Sequence, residues 1–171
     1  LVDTRDIVLD PMTAYQMTSM MEGVVQRGTA TSLRDLGRPI AGKTGTTNDY
    51  KDAWFIGYTP NLVTGVYIGF DKPRSLGDRA TGGGLAAPIA LDFLKQALKD
   101  KPPTPFRVPP GIKLIRVNLA SGTRAGSGEG ADILEAFKPG TAPPDAYVAQ
   151  PSAPAAVPAD ADRAAQAGGL Y

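Results

Sequence analysis

The residues best suited to chemistry cluster in the stretch Gly37-Arg38-Pro39-Ile40-Ala41-Gly42-Lys43-Thr44-Gly45-Thr46-Thr47-Asn48-Asp49. Taken as Gly-x-x-x-x-Gly-Lys-Thr, positions 37–44 spell a phosphate-binding loop. Taken as Lys-Thr-Gly-Thr, positions 43–46 spell a strand that can grip an anion. A phosphate loop needs a hydrophobic strand before its first glycine and a helix after its threonine, because the helix amides hold the phosphates. Here residues 29–36 are polar and mixed, and Gly-Thr-Thr-Asn-Asp follows Thr44, a poor helix start. Pro39 would also remove an amide from the loop. Nucleotide binding is therefore the weaker reading. In an extended chain Thr44 and Thr46 share one face, with Lys43 and Gly45 on the other. Two hydroxyls spaced in this way, with a flexible ammonium beside them, suit a carboxylate, and Gly45 lets another backbone approach. Such a strand at a sheet edge can hold an extended peptide by its main chain. Residue types alone also allow a solvated lysine beside ordinary threonines.

Composition narrows the chemistry further. The chain of 171 residues contains neither Cys nor His, which removes thiol nucleophiles, disulfides, Ser-His-Asp triads and histidine metal sites. Acid–base work falls to Lys, Asp, Glu or Tyr. With 18 Lys plus Arg against 17 Asp plus Glu, the net charge of +1 offers no basic field for nucleic acid. No run is long and apolar enough to span a bilayer. Leu1 in place of an initiator Met suggests a piece of something longer.

The elements that must position Lys43 read as follows. Residues 9–27 predict a helix, capped by Asp10 with Pro11 in its first turn, and Gly28 is placed to end it. Its four methionines read as core packing. Residues 39–47 are extended, 48–52 a polar turn, 53–58 a strand, 59–61 a turn, and 62–70 a β-branched and aromatic strand. Together they predict a three-stranded antiparallel meander. A loop over 71–85 carries Gly82-Gly83-Gly84, read as flexible. A helix follows over 86–99, with Ile89, Phe93, Leu94, Ala97 and Leu98 on one face. Beyond Pro102-Pro103, residues 112–117 predict a short strand and 132–137 a brief helical turn. The Pro/Ala-rich stretch from 143 onward predicts disorder. Among weaker candidates, Trp54 and Phe55 read as core, Asn48, Asp49 and Tyr50 as turn or groove lining, and Asp78 and Arg79 as solvated.

The segments Gly23-Val24-Val25-Gln26-Arg27-Gly28-Thr29-Ala30, Gly42-Lys43-Thr44-Gly45-Thr46-Thr47-Asn48-Asp49 and Asp52-Ala53-Trp54-Phe55-Ile56-Gly57-Tyr58-Thr59-Pro60 together resemble the class A penicillin-binding proteins of bacteria. These are bifunctional peptidoglycan synthases with a glycosyltransferase domain followed by a transpeptidase domain. The resemblance is strong over 1–100 and weaker through Pro109-Pro110-Gly111-Ile112 and Ile133-Leu134-Glu135-Ala136-Phe137-Lys138-Pro139-Gly140. It implies an α+β fold, part of the penicillin-binding and serine β-lactamase-like fold, with flanking helices on an antiparallel sheet. Residues 1–100 would form the C-terminal portion of the transpeptidase domain, 101–142 an extension, and 143–171 a disordered tail. The family sheet has five strands, and the first two would come from preceding sequence, so residues 1–171 alone are expected to aggregate or stay partly molten.

The family uses three motifs, Ser-x-x-Lys, Ser-x-Asn and Lys-Thr-Gly, of which only the last is here. None of Ser19, Ser32, Ser75, Ser121, Ser127 and Ser152 has Lys three residues on or Asn two residues on. The resemblance implies serine acyl transfer between peptidoglycan stem peptides ending in D-Ala-D-Ala, with β-lactams as mimics. It also implies an acylating serine upstream and no cofactor or metal. Carried over, Lys43 provides positive potential and meets the relay serine, Thr44 and Thr46 bind the substrate carboxylate, and Gly45 lets the peptide pass. The N–H of Thr46 would complete the oxyanion hole. The parent would be membrane-anchored at the periplasmic face of the inner membrane. The alternative is a non-catalytic remnant that binds peptidoglycan or a partner.

Overall fold

A computed structural model describes residues 6–125 and 131–143, so the predicted disordered tail, apart from Pro143, lies outside the described residues. Helix α1 spans Pro11–Gln26. Asp10 caps it as its spacing predicted, accepting from the Thr13 N–H at 2.9 Å. Strands β1 (Ala41–Thr46), β2 (Asp52–Thr59) and β3 (Leu62–Gly69) form an antiparallel sheet in the order β1-β2-β3. Helix α2 spans Ala87–Ala97, and β4 (Lys113–Asn118) pairs with β5 (Asp132–Phe137) in a separate two-stranded sheet.

The period-2 alternation of β2 divides the main sheet into two faces. Ala53, Phe55 and Thr59 are buried on the inner face, where Phe55 joins the core of Val25, Leu33, Ile40, Leu91, Leu94 and Leu98. Phe55 lies over a pair of opposed glycines: a Cβ on Gly42 would come within 2.6 Å of its ring, and one on Gly57 within 2.5 Å. Burying such a ring contributes about 1.5–3 kcal/mol. Trp54, by contrast, was expected in the core and is 42% exposed, because its odd-even partner Phe55 took the inward position. Ile56, Val63 and Tyr67 share its outer face and are also exposed.

Four further expectations need correction. Residues 132–137 form a strand, not a helical turn: six residues are too few to propagate a helix unaided, and β4 supplies a ladder partner. Gly82–Ala86 is a π-helical turn packed on the sheet rather than a flexible loop. Ile89 and Phe93 are half-exposed; the buried face of α2 uses Ala87, Ala90, Leu91 and Leu94 instead. Two of the four methionines read as core packing, Met17 and Met20, are 47% and 57% exposed on α1. Residues 31–36 form a 3₁₀ helix that buries Leu33 and ends at Gly37 with φ 68°.

The β4–β5 hairpin is fastened to α1 at several points. Arg27 pairs with Glu135 at 2.7 Å, Gln16 Nε2 donates to the Ala136 carbonyl at 2.9 Å, and Lys138 Nζ meets Asp10 Oδ2 at 2.9 Å. Lys138 Nζ also donates to Thr13 Oγ1. The Lys138 and Thr13 hydrogen bonds hold the Asp10 carboxyl well below the usual carboxylate range. Because its folded value is depressed, the stability it contributes is complete above the unfolded value, about 3.9. That contribution is lost as the pH falls through the folded value. The side-chain carboxyl shift of Asp10 should therefore titrate with a midpoint below the ordinary range, and Lys138→Met should move it back toward about 3.9. A midpoint near 4 in the parent would refute the clamp.

Candidate active site on the open edge of β1

No strand among the described residues pairs with the outer edge of β1. The phase of that edge follows from one hydrogen bond. Thr47 N–H donates to the Asp52 carbonyl at 3.1 Å, continuing the β1–β2 register, in which Thr46 faces Ala53 and Gly45 faces Trp54. In an antiparallel ladder alternate residues hydrogen-bond the neighbour, so residues 41, 43, 45 and 47 turn their main chains toward β2. Gly42, Thr44 and Thr46 turn their N–H and C=O groups outward. Lys43 Nζ reaches one of these outward groups, donating to the Thr44 carbonyl at 2.8 Å.

The four sequence-predicted residues lie along this edge. Lys43 and Thr46 are exposed; Thr44 and Gly45 are half-buried. As the alternation requires, Lys43 and Gly45 share the outer face with Trp54 and Ile56, while Thr44 and Thr46 lie on the inner face with Phe55 and Ala53. Lys43-Thr44 sits in mid-strand, so no helix N-terminus follows it as a phosphate loop would need. Gly37, the first glycine of that pattern, serves as the left-handed stop of the preceding 3₁₀ helix.

Behind the two threonines stand groups that the sequence did not single out. Gly82 N–H donates to Thr46 Oγ1 at 3.0 Å, and the hydroxyls of Thr44 and Thr29 are 2.6 Å apart. Gly82 lies flat on the sheet: a Cβ there would run into the Trp54 carbonyl and come within 2.5 Å of the Gly45 carbonyl oxygen. A Cβ on Gly83 would strike the Thr29 carbonyl. Both glycines are demanded by close approach. The signal for Thr29 was its place in Gly28-Thr29-Ala30, directly after α1.

Asp49 and Tyr50 adopt φ of 58° and 53° in a tight turn, and Asp49 pairs with Lys51 at 3.3 Å. Asp78 and Arg79 are exposed. At the end of the sheet, Tyr67 packs against Trp54 with centroids 4.6 Å apart and ring planes tilted by 46°, and donates to Asp52 Oδ1 at 2.9 Å. That hydrogen bond to a carboxylate raises the Tyr67 phenol above its ordinary value. Asp52 N–H in turn donates to Thr47 Oγ1 at 2.8 Å, which closes the turn beyond the β1 strand.

The family model described as the penicillin-binding protein transpeptidase domain matches residues 3–95, more than half of the chain. The chain belongs to the class A penicillin-binding protein transpeptidases. Among relatives of this transpeptidase, penicillin-binding protein 1A of Rickettsia bellii is 52% identical over 132 residues, covering 77% of this chain and 16% of that protein. Penicillin-binding protein 1A of Pseudomonas aeruginosa is 46% identical over 138 residues, covering 80% of this chain and 17% of that protein. The crystal structure of penicillin-binding protein 1A from Haemophilus influenzae superposes with a TM-score of 0.72 at 33% identity, covering 82% of this chain and 22% of that one. The helices and antiparallel sheet described above are therefore part of the penicillin-binding fold. The transpeptidase chain thus spans about one-sixth of the length of these relatives.

Proposed function

We propose that this chain provides the substrate-facing strand of a peptidoglycan D,D-transpeptidase whose acylating serine lies in other sequence of the same protein. The observation that carries the reading is the open edge of β1, where the exposed Lys43 stands beside the outward main-chain groups of Thr44 and Thr46. A stem peptide ending in D-Ala-D-Ala adds to this edge as an extended strand. Lys43 supplies positive potential and meets the relay serine, while the hydroxyls of Thr44 and Thr46 bind the terminal carboxylate. The serine oxygen attacks the penultimate D-Ala carbonyl, and the resulting oxyanion is held by the Thr46 N–H and the nucleophile's own amide. Collapse breaks the peptide bond and releases the terminal D-Ala. An amine from a neighbouring strand then takes the acyl group and frees the serine. A β-lactam enters by the same attack and leaves a slow acyl-enzyme.

Gly45, without a side chain, leaves room for the passing peptide. Residues 1–100 are assigned to the transpeptidase domain and 101–142 to an extension. The intact protein is placed at the periplasmic face of the inner membrane, with its anchor and glycosyltransferase outside this chain. No helix among the described residues is long and apolar enough to cross a membrane. Because no Ser-x-x-Lys occurs in residues 1–171, the chain alone is expected to be inactive.

The test uses the intact protein. It should release D-alanine from a stem pentapeptide and take up one fluorescent penicillin, and pre-treatment with a β-lactam should abolish the release. An intact protein that binds peptidoglycan but neither releases D-alanine nor labels would favour the non-catalytic remnant and overturn the proposal.

A further inference from the structure

We infer that Thr29 is a positioning residue: its hydroxyl donates to Thr44 and so turns the Thr44 hydrogen toward the open edge of β1. The inference rests on the reading of that edge as a carboxylate site. A hydroxyl has one hydrogen, so an anion, which only accepts, needs that hydrogen aimed outward. For Thr46 the aim is set by an amide. Gly82 N–H can only donate, so Thr46 Oγ1 accepts from it and keeps its own hydrogen for another partner.

Among the described residues no amide donates to Thr44 Oγ1; its partner is Thr29, at 2.6 Å between hydroxyl oxygens. Either hydroxyl can donate, and an anion on the edge selects the arrangement in which Thr29 gives to Thr44 and Thr44 gives outward. A hydroxyl that accepts a hydrogen bond is also a stronger donor. Thr29 is well placed for this because its backbone is pinned. Ala30 N–H donates to the Val24 carbonyl at 3.1 Å, folding the chain back on α1. Gly28 permits that fold, since a Cβ there would lie 2.8 Å from Val24 Cα. Gly83 packs against the Thr29 carbonyl, which a Cβ at that position would strike.

The experiment measures acylation of the intact transpeptidase by a penicillin and by its methyl ester, which lacks the anion. Thr29→Val should lower the preference for free acid over ester roughly 3- to 10-fold, through the binding constant rather than the limiting rate. Thr29→Ser should restore it, and Thr29→Val should add nothing in a Thr44→Val background. If Thr44→Val lowers the preference and Thr29→Val does not, the role of Thr29 is refuted while the carboxylate site stands. If Thr29→Val slows acid and ester equally, or Thr29→Ser fails to rescue, Thr29 is merely structural and the inference falls. Should Thr44→Val itself leave the preference untouched, the carboxylate reading falls, and the inference with it.

Discussion

Lys43→Ala in the intact transpeptidase is expected to lower the rate of acylation by a fluorescent penicillin roughly 10- to 100-fold and to leave the melting temperature close to that of the parent. Two observations separate activity from stability at this position. Lys43 is exposed, and among the described residues its ammonium bonds to the carbonyl of the next residue alone, so its loss leaves no buried group unpaired there. Surface substitutions of this kind stay within about 0.5 kcal/mol. In the proposed role the lost interaction with an anionic substrate is charge-assisted, worth about 1.5–3 kcal/mol, which sets the fold-change. Because the site is open to solvent, the parent's rate should also fall as salt is raised, and the variant's rate should be less sensitive. A variant that labels at the parent's rate would remove Lys43 from the site.

Gly82→Ala gives the second large effect, this time on stability and activity together. The added methyl meets the Trp54 and Gly45 carbonyls, both main-chain groups of paired strands that have no freedom to retreat. The 82–86 turn must lift instead, at an overpacking cost of about 1–3 kcal/mol. Lifting it also breaks the Gly82 N–H hydrogen bond to Thr46 Oγ1. Gly84→Ala is the internal control, since the nearest atom to its Cβ is the Thr81 hydroxyl at 3.2 Å, a contact that a shift of a few tenths of an ångström relieves. Thermal unfolding of the intact protein should separate the two, with a clear drop for Gly82→Ala and little change for Gly84→Ala. Equal melting of both variants would show that the glycine is not pressed against the sheet.

What the sequence revealed of this fold was local. The Asp10-Pro11 start of α1 and the β-branched runs of β2 and β3 are properties of neighbouring residues, and they were legible to within a few positions. Lys43, Thr44 and Thr46 were legible as a motif on a strand. Their setting was not. Thr29 meets Thr44 across 15 positions and Gly82 meets Thr46 across 36, and neither pairing leaves a periodic trace. The glycines at 82–84 looked permissive because glycine serves flexible loops and tight packing alike; only the location of the sheet decides between them. Likewise β5 is a strand because β4 lies alongside it, which no window of six residues discloses.

The alternation that turns Gly42, Thr44 and Thr46 outward makes this edge a ruler. Any extended chain that pairs with it finds main-chain partners only at every second residue, so it seats in steps of about 7 Å. A slip of one residue would turn every guest side chain over. The register of any guest strand is therefore quantised by the backbone before any guest side chain is consulted.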